Sequence, residues 1–183
     1  MLTDLQTKKL TRYFRVYDID DDGRIARADF ERIFENVRIL RGEEDGSSGY
    51  RSLRDLYMGL WERLRAAADG DRDGGVDLDE WLAYWQLALA DDERFEAEAR
   101  ALTDRLFEVF DVDEDGTIRV SEFSDFYGVF GLAVSLAETI FDELDTDGDG
   151  VITRSELLDI SRQFYRSDDV EAAGNVLFGP IGA

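Results

Sequence analysis

Apolar residues recur along this chain at three- and four-residue spacing, and the stretches they form are separated by short, almost wholly acidic runs. Phe14 and Tyr17, Phe107 and Phe110, and Phe141 and Leu144 each stand three apart, just before an acidic run. Tyr57, Trp61, Leu64 and Ala68 form the same kind of stripe before another run. Phe30, Trp81, Phe123 and Leu157 open a fresh apolar face after each run. This periodicity belongs to one side of a helix, and these residues read as core. The pattern predicts helices over 3–17, 27–39, 52–68, 78–89, 93–110, 120–130, 135–144 and 154–165, an all-α chain of four helix–loop–helix units. Ser135 with Glu138 has the spacing of a capping box for the seventh helix. Thr153 with Glu156 has the same spacing, but Glu156 is assigned to a loop ligand below. Asp91 and Asp92 break the apolar pattern, so the expected division is 1–90 (first and second units), 91–168 (third and fourth) and a tail, 169–183. The tail carries Val170, Val176, Leu177, Phe178 and Ile181 and the only proline, Pro180. Apolar residues at a terminus dock in preference to staying in water, so the tail is expected to lie against the lobes. The Gly-Ser stretch at 46–49 reads as a surface excursion, since it lacks the lysine and spaced glycine of a phosphate loop.

The acidic runs share one pattern. They are residues 18–29, 69–80, 111–122 and 145–156, and they hold nearly half of the 43 acids. Each has Asp at its first, third and fifth places, Gly at its sixth, a β-branched residue at its eighth and an acid at its twelfth. Acidic turns alone would not repeat so detailed a pattern four times. The chemistry of Ca²⁺ explains each constraint. It is a hard cation that takes six to eight oxygens at about 2.3–2.6 Å. Carboxylates at alternate places of a curled loop can converge on one point. The seventh residue offers only its backbone carbonyl, so its side chain is unconstrained. The sixth-place glycine makes the sharp turn. A Glu at the twelfth place reaches with both oxygens. The eighth residue suits a short strand that pairs with the neighbouring loop.

The candidate ligands are therefore Asp18, Asp20, Asp22, Arg24 and Asp29 in the first loop and Asp69, Asp71, Asp73, Gly75 and Glu80 in the second. They are Asp111, Asp113, Asp115, Thr117 and Glu122 in the third and Asp145, Asp147, Asp149, Val151 and Glu156 in the fourth. The first loop closes on Asp29, one methylene shorter than Glu, has Ala26 at its ninth place, and carries Arg24 and Arg27 nearby. It is expected to be the weakest for Ca²⁺ and the best suited to smaller, octahedral Mg²⁺. The second has Asp77 at its ninth place, the third Arg119 and the fourth Thr153.

Composition narrows the function. The 183 residues carry 43 acids against 21 bases, a net charge of −22, with 44% hydrophobic and 12% aromatic residues. That apolar content specifies a folded protein, and the charge disfavours nucleic acid and anionic membranes as partners. Cysteine and histidine are both absent, which removes disulfides, Cys/His zinc sites, thiol nucleophiles and histidine-based triads. No apolar run is long enough to span a bilayer, the N-terminus lacks a signal-peptide core, and residue 2 is not the Gly that myristoylation needs. A cytoplasmic monomer is expected.

On these loops and flanks the chain resembles the EF-hand superfamily, four times over. The widest gap lies between the first two loops, stretched by residues 41–49, and the narrowest between the last two. That spacing and the tail are similar to those of the sarcoplasmic calcium-binding proteins and the bacterial calerythrin-like proteins. The resemblance implies four EF-hands in two paired lobes packed into one globule, with short β-bridges joining paired loops and Ca²⁺ as the bound ion. It implies a Ca²⁺ buffer or transport protein. The alternative is a sensor that opens a groove for a partner, but such grooves are rich in methionine and this chain has two. Photoproteins of the broad family hold their substrate with histidines, which this chain lacks, and every acidic cluster is explained by a metal loop. No catalytic role is expected.

Overall fold

Five of the eight α-helices begin at a residue whose side chain caps them: Thr3, Ser47, Asp77, Asp91 and Thr153. A computed structural model describes residues 1–181. Helix α1 (Asp4–Tyr17) is capped by Thr3, whose side chain accepts from the Gln6 N–H. It is followed by α2 (Arg27–Leu40), α3 (Ser48–Ala68) and α4 (Leu78–Leu89). Then come α5 (Asp92–Phe110), α6 (Val120–Val129), α7 (Ala137–Leu144) and α8 (Arg154–Arg166). Asp91, expected to mark the boundary between lobes, is the N-cap of α5 and accepts from the Arg94 N–H. Four two-residue strands, β1 (Arg24–Ile25), β2 (Val76–Asp77), β3 (Thr117–Ile118) and β4 (Ile152–Thr153), lie inside the loops. β1 pairs antiparallel with β2 and β3 with β4, with Ile25 opposite Val76 and Ile118 opposite Ile152. All four of these eighth-place side chains are buried. The loops thus meet in pairs, first with second and third with fourth.

Two elements differ from the expectation. Helix α3 starts at Ser48, four residues early, so the Gly-Ser stretch belongs partly to a helix. Ser47 caps it by accepting from the Tyr50 N–H, and the Tyr50 ring packs edge-on against Phe34 at 5.2 Å. A cap and an aromatic anchor outweigh the weak helix propensity of Gly49. Before α7, Ser135 lies within a 3₁₀ turn, Val134–Leu136, and caps nothing. The capping box of Ser135 and Glu138 does not form, because Ser135 is already inside the coil.

One apolar core runs through both pairs. α1 packs on α4 and α8, α2 on α3 and α6, and α5 on α4 and α8. Trp81 Nε1 donates to the Leu10 carbonyl (2.9 Å), and Asn36 Nδ2 donates to the Val129 carbonyl (2.8 Å). Arg162 grips both oxygens of Glu96, at 3.1 and 2.7 Å, holding α8 to α5. After α8 the chain makes a 3₁₀ turn, Ala173–Val176, that approaches α8 so closely that a Cβ on Gly174 would stand 2.4 Å from the Ile160 carbonyl oxygen. Leu177 and Phe178 are buried, and the Phe178 ring stacks on Tyr13 at 4.3 Å. Lys9 Nζ donates to the carbonyls of Gln163 (3.1 Å) and Ser167 (2.8 Å) and to Asn175 Oδ1 (3.1 Å). Val170 is exposed and takes no part in this packing. The last two residues of the tail, Gly182 and Ala183, lie outside the described residues.

Candidate metal-binding loops

Each loop is wound by its own carboxylates. The fifth-place Asp accepts from the seventh N–H in all four: Asp22 from Arg24 (2.9 Å), Asp73 from Gly75 (3.1 Å), Asp115 from Thr117 (2.9 Å) and Asp149 from Val151 (3.0 Å). The first-place Asp accepts from the sixth-place glycine N–H: Asp18 (3.0 Å), Asp69 (3.2 Å), Asp111 (3.0 Å) and Asp145 (2.8 Å). That glycine is left-handed everywhere, with φ of 87°, 91°, 84° and 87°. The fourth place is left-handed too. Asp21, Arg72 and Glu114 hold φ of 55°, 62° and 56°, and only the fourth loop has a glycine, Gly148, to do so. A side chain in that region costs roughly 1–2 kcal/mol, so the fourth loop is the least strained.

The twelfth-place acid clasps the loop ends, and here the loops part. Asp29 accepts from Ile19 N–H (3.1 Å) and Ala26 N–H (2.8 Å), one on each oxygen. Glu80 accepts from Gly70 (2.8 Å) and Asp77 (3.1 Å), and Glu122 from Val112 (2.9 Å) and Arg119 (2.9 Å). Glu156 clasps one end only, through Oε2 to Thr153 N–H (2.9 Å), leaving Oε1 buried and without a partner. Thr153 and Glu156 do form a capping box, which the sequence reading set aside in favour of a ligand role for Glu156; one oxygen serves the cap and the other stays available.

Within each loop three acids bring oxygens to within 4.8 Å of one another. These are Asp18, Asp20 and Asp22; Asp69, Asp71 and Asp73; Asp111, Asp113 and Glu122; and Asp145, Asp147 and Glu156. Asp29 and Glu80 stand outside the first two groups, and Asp115 and Asp149 outside the last two. Arg24, Gly75, Thr117 and Val151 sit at the seventh places, beside or within the strand pairs, where the carbonyl is the oxygen they can offer. Asp69 Oδ1 and Asp111 Oδ1 join Glu156 Oε1 as buried carboxylate oxygens that accept no hydrogen bond. A buried oxygen anion without a donor is costly, and a hard divalent cation is the group that would repay it. The donor set, all oxygen and mostly carboxylate, fits Ca²⁺ or Mg²⁺ and gives nothing to softer metals.

Arginines also reach the loops, but not as expected: among the described residues neither Arg24 nor Arg27 pairs with an acid of the first loop, and Arg27 pairs with Glu31 of α2 instead. Arg24 leaves the first loop and pairs with Asp73 of the second, lying across Gly75 so closely that a Cβ there would stand 2.6 Å from its Nη2. Arg119 pairs with Asp115 and, at 3.1 Å, with Asp113 of its own loop. Arg32 stands 3.4 Å from Asp20. Among the described residues no arginine pairs with an acid of the fourth loop. The antiparallel register that sets Arg24 opposite Asp77 was the signal that could have found the first of these. Burial pushes the Asp18 and Asp29 carboxyls up from their ordinary range, against the pull of the backbone N–H groups they accept from.

The EF-hand family model matches residues 66–83, 103–127 and 136–161, the last three units. A sarcoplasmic calcium-binding protein from Hediste diversicolor is 33% identical over 98% of this chain and 99% of its own. The chain belongs to the sarcoplasmic calcium-binding protein family. The beta chain of the sarcoplasmic calcium-binding protein of Penaeus sp. is 31% identical over 66% of this chain, a match spanning 63% of that protein's length. The amphioxus sarcoplasmic calcium-binding protein shares the fold, with a TM-score of 0.75, 24% identity and 98% and 99% of the two chains covered. A Streptomyces coelicolor calcium-binding protein, described as a basis for prokaryotic calcium-mediated regulation, has a TM-score of 0.70 at 25% identity over 87% of this chain and 97% of its own. As a member of that family, this chain is a Ca²⁺-binding EF-hand protein. The first unit, outside the family-model match, is the one whose loop closes on Asp rather than Glu.

Proposed function

We propose that the protein buffers or transports Ca²⁺ as a cytoplasmic monomer with no catalytic role, rather than signalling through a captured partner. The observation that carries this reading is the tail. Leu177 lies among Leu106, Phe110, Phe126, Ile152 and Leu157 of the second pair of units, and Phe178 stacks on Tyr13 of the first. The chain thus fills with its own residues the apolar surface that a sensor offers to a partner helix. Rigid aromatic rings and only two methionines favour one packed state over a groove that re-forms around targets. All four loops contribute in this reading: the second, third and fourth take Ca²⁺, and the first is the weakest and the best suited to Mg²⁺.

A hydrophobic dye titrated with and without Ca²⁺ tests the buffer reading. Dye binding that falls or stays constant on Ca²⁺ addition supports it. The second reading, a regulator like the one the Streptomyces coelicolor protein is described as serving, predicts dye binding that rises sharply with Ca²⁺, as apolar surface opens.

A further inference from the structure

A cavity of about 410 Å³ that no loop ligand lines is walled by α1 to α5. Ala67 of α3 and Ala97 and Ala101 of α5 are the small residues of its wall. Its floor is aromatic and buried: Tyr13, Phe30, Trp81 and Trp85. Ala67 and Ala97 are exposed, so its mouth lies between α3 and α5. This volume and lining suit one small, largely apolar molecule.

The polar groups in the wall choose its charge. Arg63, Arg94 and Arg105 face a single acid, Glu98, in a protein whose net charge is −22. Glu98 is already engaged by the Tyr84 hydroxyl, and the Arg94 guanidinium lies 4.8 Å from the Tyr84 ring centre. Arg105 is half-buried and makes no hydrogen bond or ion pair among the described residues, although guanidinium is the side chain that most readily finds a carboxylate. A guanidinium without a partner, beside an aromatic floor, lacks one thing: an anion with an apolar body.

We infer that this cavity binds an apolar organic monoanion, a carboxylate on an aromatic or alkyl frame, with Arg105 as the partner of the charge and Tyr13, Phe30 and Trp81 holding the frame. The site is separate from the Ca²⁺ reading and does not depend on it.

The test is calorimetric titration of the full-length, Ca²⁺-loaded protein with naphthoate, with decanoate, and with naphthamide, the neutral counterpart of naphthoate. One carboxylate is expected to bind per chain, and the amide about tenfold more weakly or worse, the loss that follows from removing a charged hydrogen-bond partner. Arg105→Met should weaken the carboxylate by about tenfold while leaving the amide unchanged. Ala97→Trp, which fills the mouth, should abolish both. Ca²⁺ stoichiometry measured on the same variants reports that they are folded and that the loops are untouched. The inference is overturned if neither carboxylate saturates a site, if the amide binds as well as naphthoate, or if both variants bind like the parent chain.

Discussion

Arg119 and Asp29 are the single residues expected to set the order of the loops. Arg119 holds Asp113 and Asp115, acids that a bound cation also needs, so it competes with the metal from within the chain. The pair is exposed, and exposed ion pairs contribute about 0–1 kcal/mol. Arg119→Ala should therefore tighten Ca²⁺ at the third loop by no more than about fivefold. Arg24→Ala should act similarly on the second loop through Asp73; looser binding in either variant would mean that the arginine supports its loop instead. Asp29 gives both oxygens to backbone N–H groups, as Glu80 and Glu122 also do, but it is one methylene shorter and stands outside the three-acid group of its loop. Asp29→Glu should strengthen the weakest Ca²⁺ step, whereas Glu122→Gln should nearly abolish binding at the third loop. A titration in which Asp29→Glu leaves the weakest step unchanged contradicts this ranking. The carboxylates were legible in the sequence because their spacing is covalent. The partners of the arginines were not, since Arg24 and Asp73 meet only once β1 and β2 are in register, and the left-handed fourth place was hidden by carrying Asp, Arg or Glu in three loops.

Among the elements, α1 and the tail act as one. Phe178 is buried against Tyr13 and Phe164, so Phe178→Ala should cost about 3–5 kcal/mol of stability. Truncation after Arg166 should cost more and increase dye binding; if it changes neither stability nor dye binding, the tail does not fill the apolar face. Lys9 adds a pH dependence. Burial pulls its ammonium from the ordinary 10.5 down to about 8, with Asp168 pulling back. Because the folded value lies below the unfolded one, the unfolded chain holds the extra proton between about pH 8 and 10.5, and this group's contribution to stability rises with pH across that window. The melting temperature of the parent chain should therefore gain on that of Lys9→Met as pH climbs from 8 to 10, and a constant difference would contradict the assignment. Helix existence was read correctly from three-and-four spacing, because amphipathic faces dominate packing. The start of α3 and the 3₁₀ turn before α7 were not, since both depend on what Tyr50 and Ser135 meet in the fold.

At the scale of the molecule, charge and metal act together. Acids converge in four loops of a chain with a net charge of −22, and their repulsion opposes the compact state. A cation that binds only the folded form stabilises it by mass action, about 4 kcal/mol at a thousandfold excess over its dissociation constant. Ca²⁺ should therefore raise the melting temperature strongly over that in chelator, and identical curves would contradict the account. The central claim is that the loops bind Ca²⁺ unequally, the first least. Calorimetric titration of the chelator-treated protein with Ca²⁺, repeated in millimolar Mg²⁺, tests it most directly. The account predicts three strong Ca²⁺ sites and a fourth, weak one that Mg²⁺ removes from the titration and Asp29→Glu restores. Four equivalent sites, or a weak step that responds to a change in another loop and not to Asp29→Glu, would contradict it.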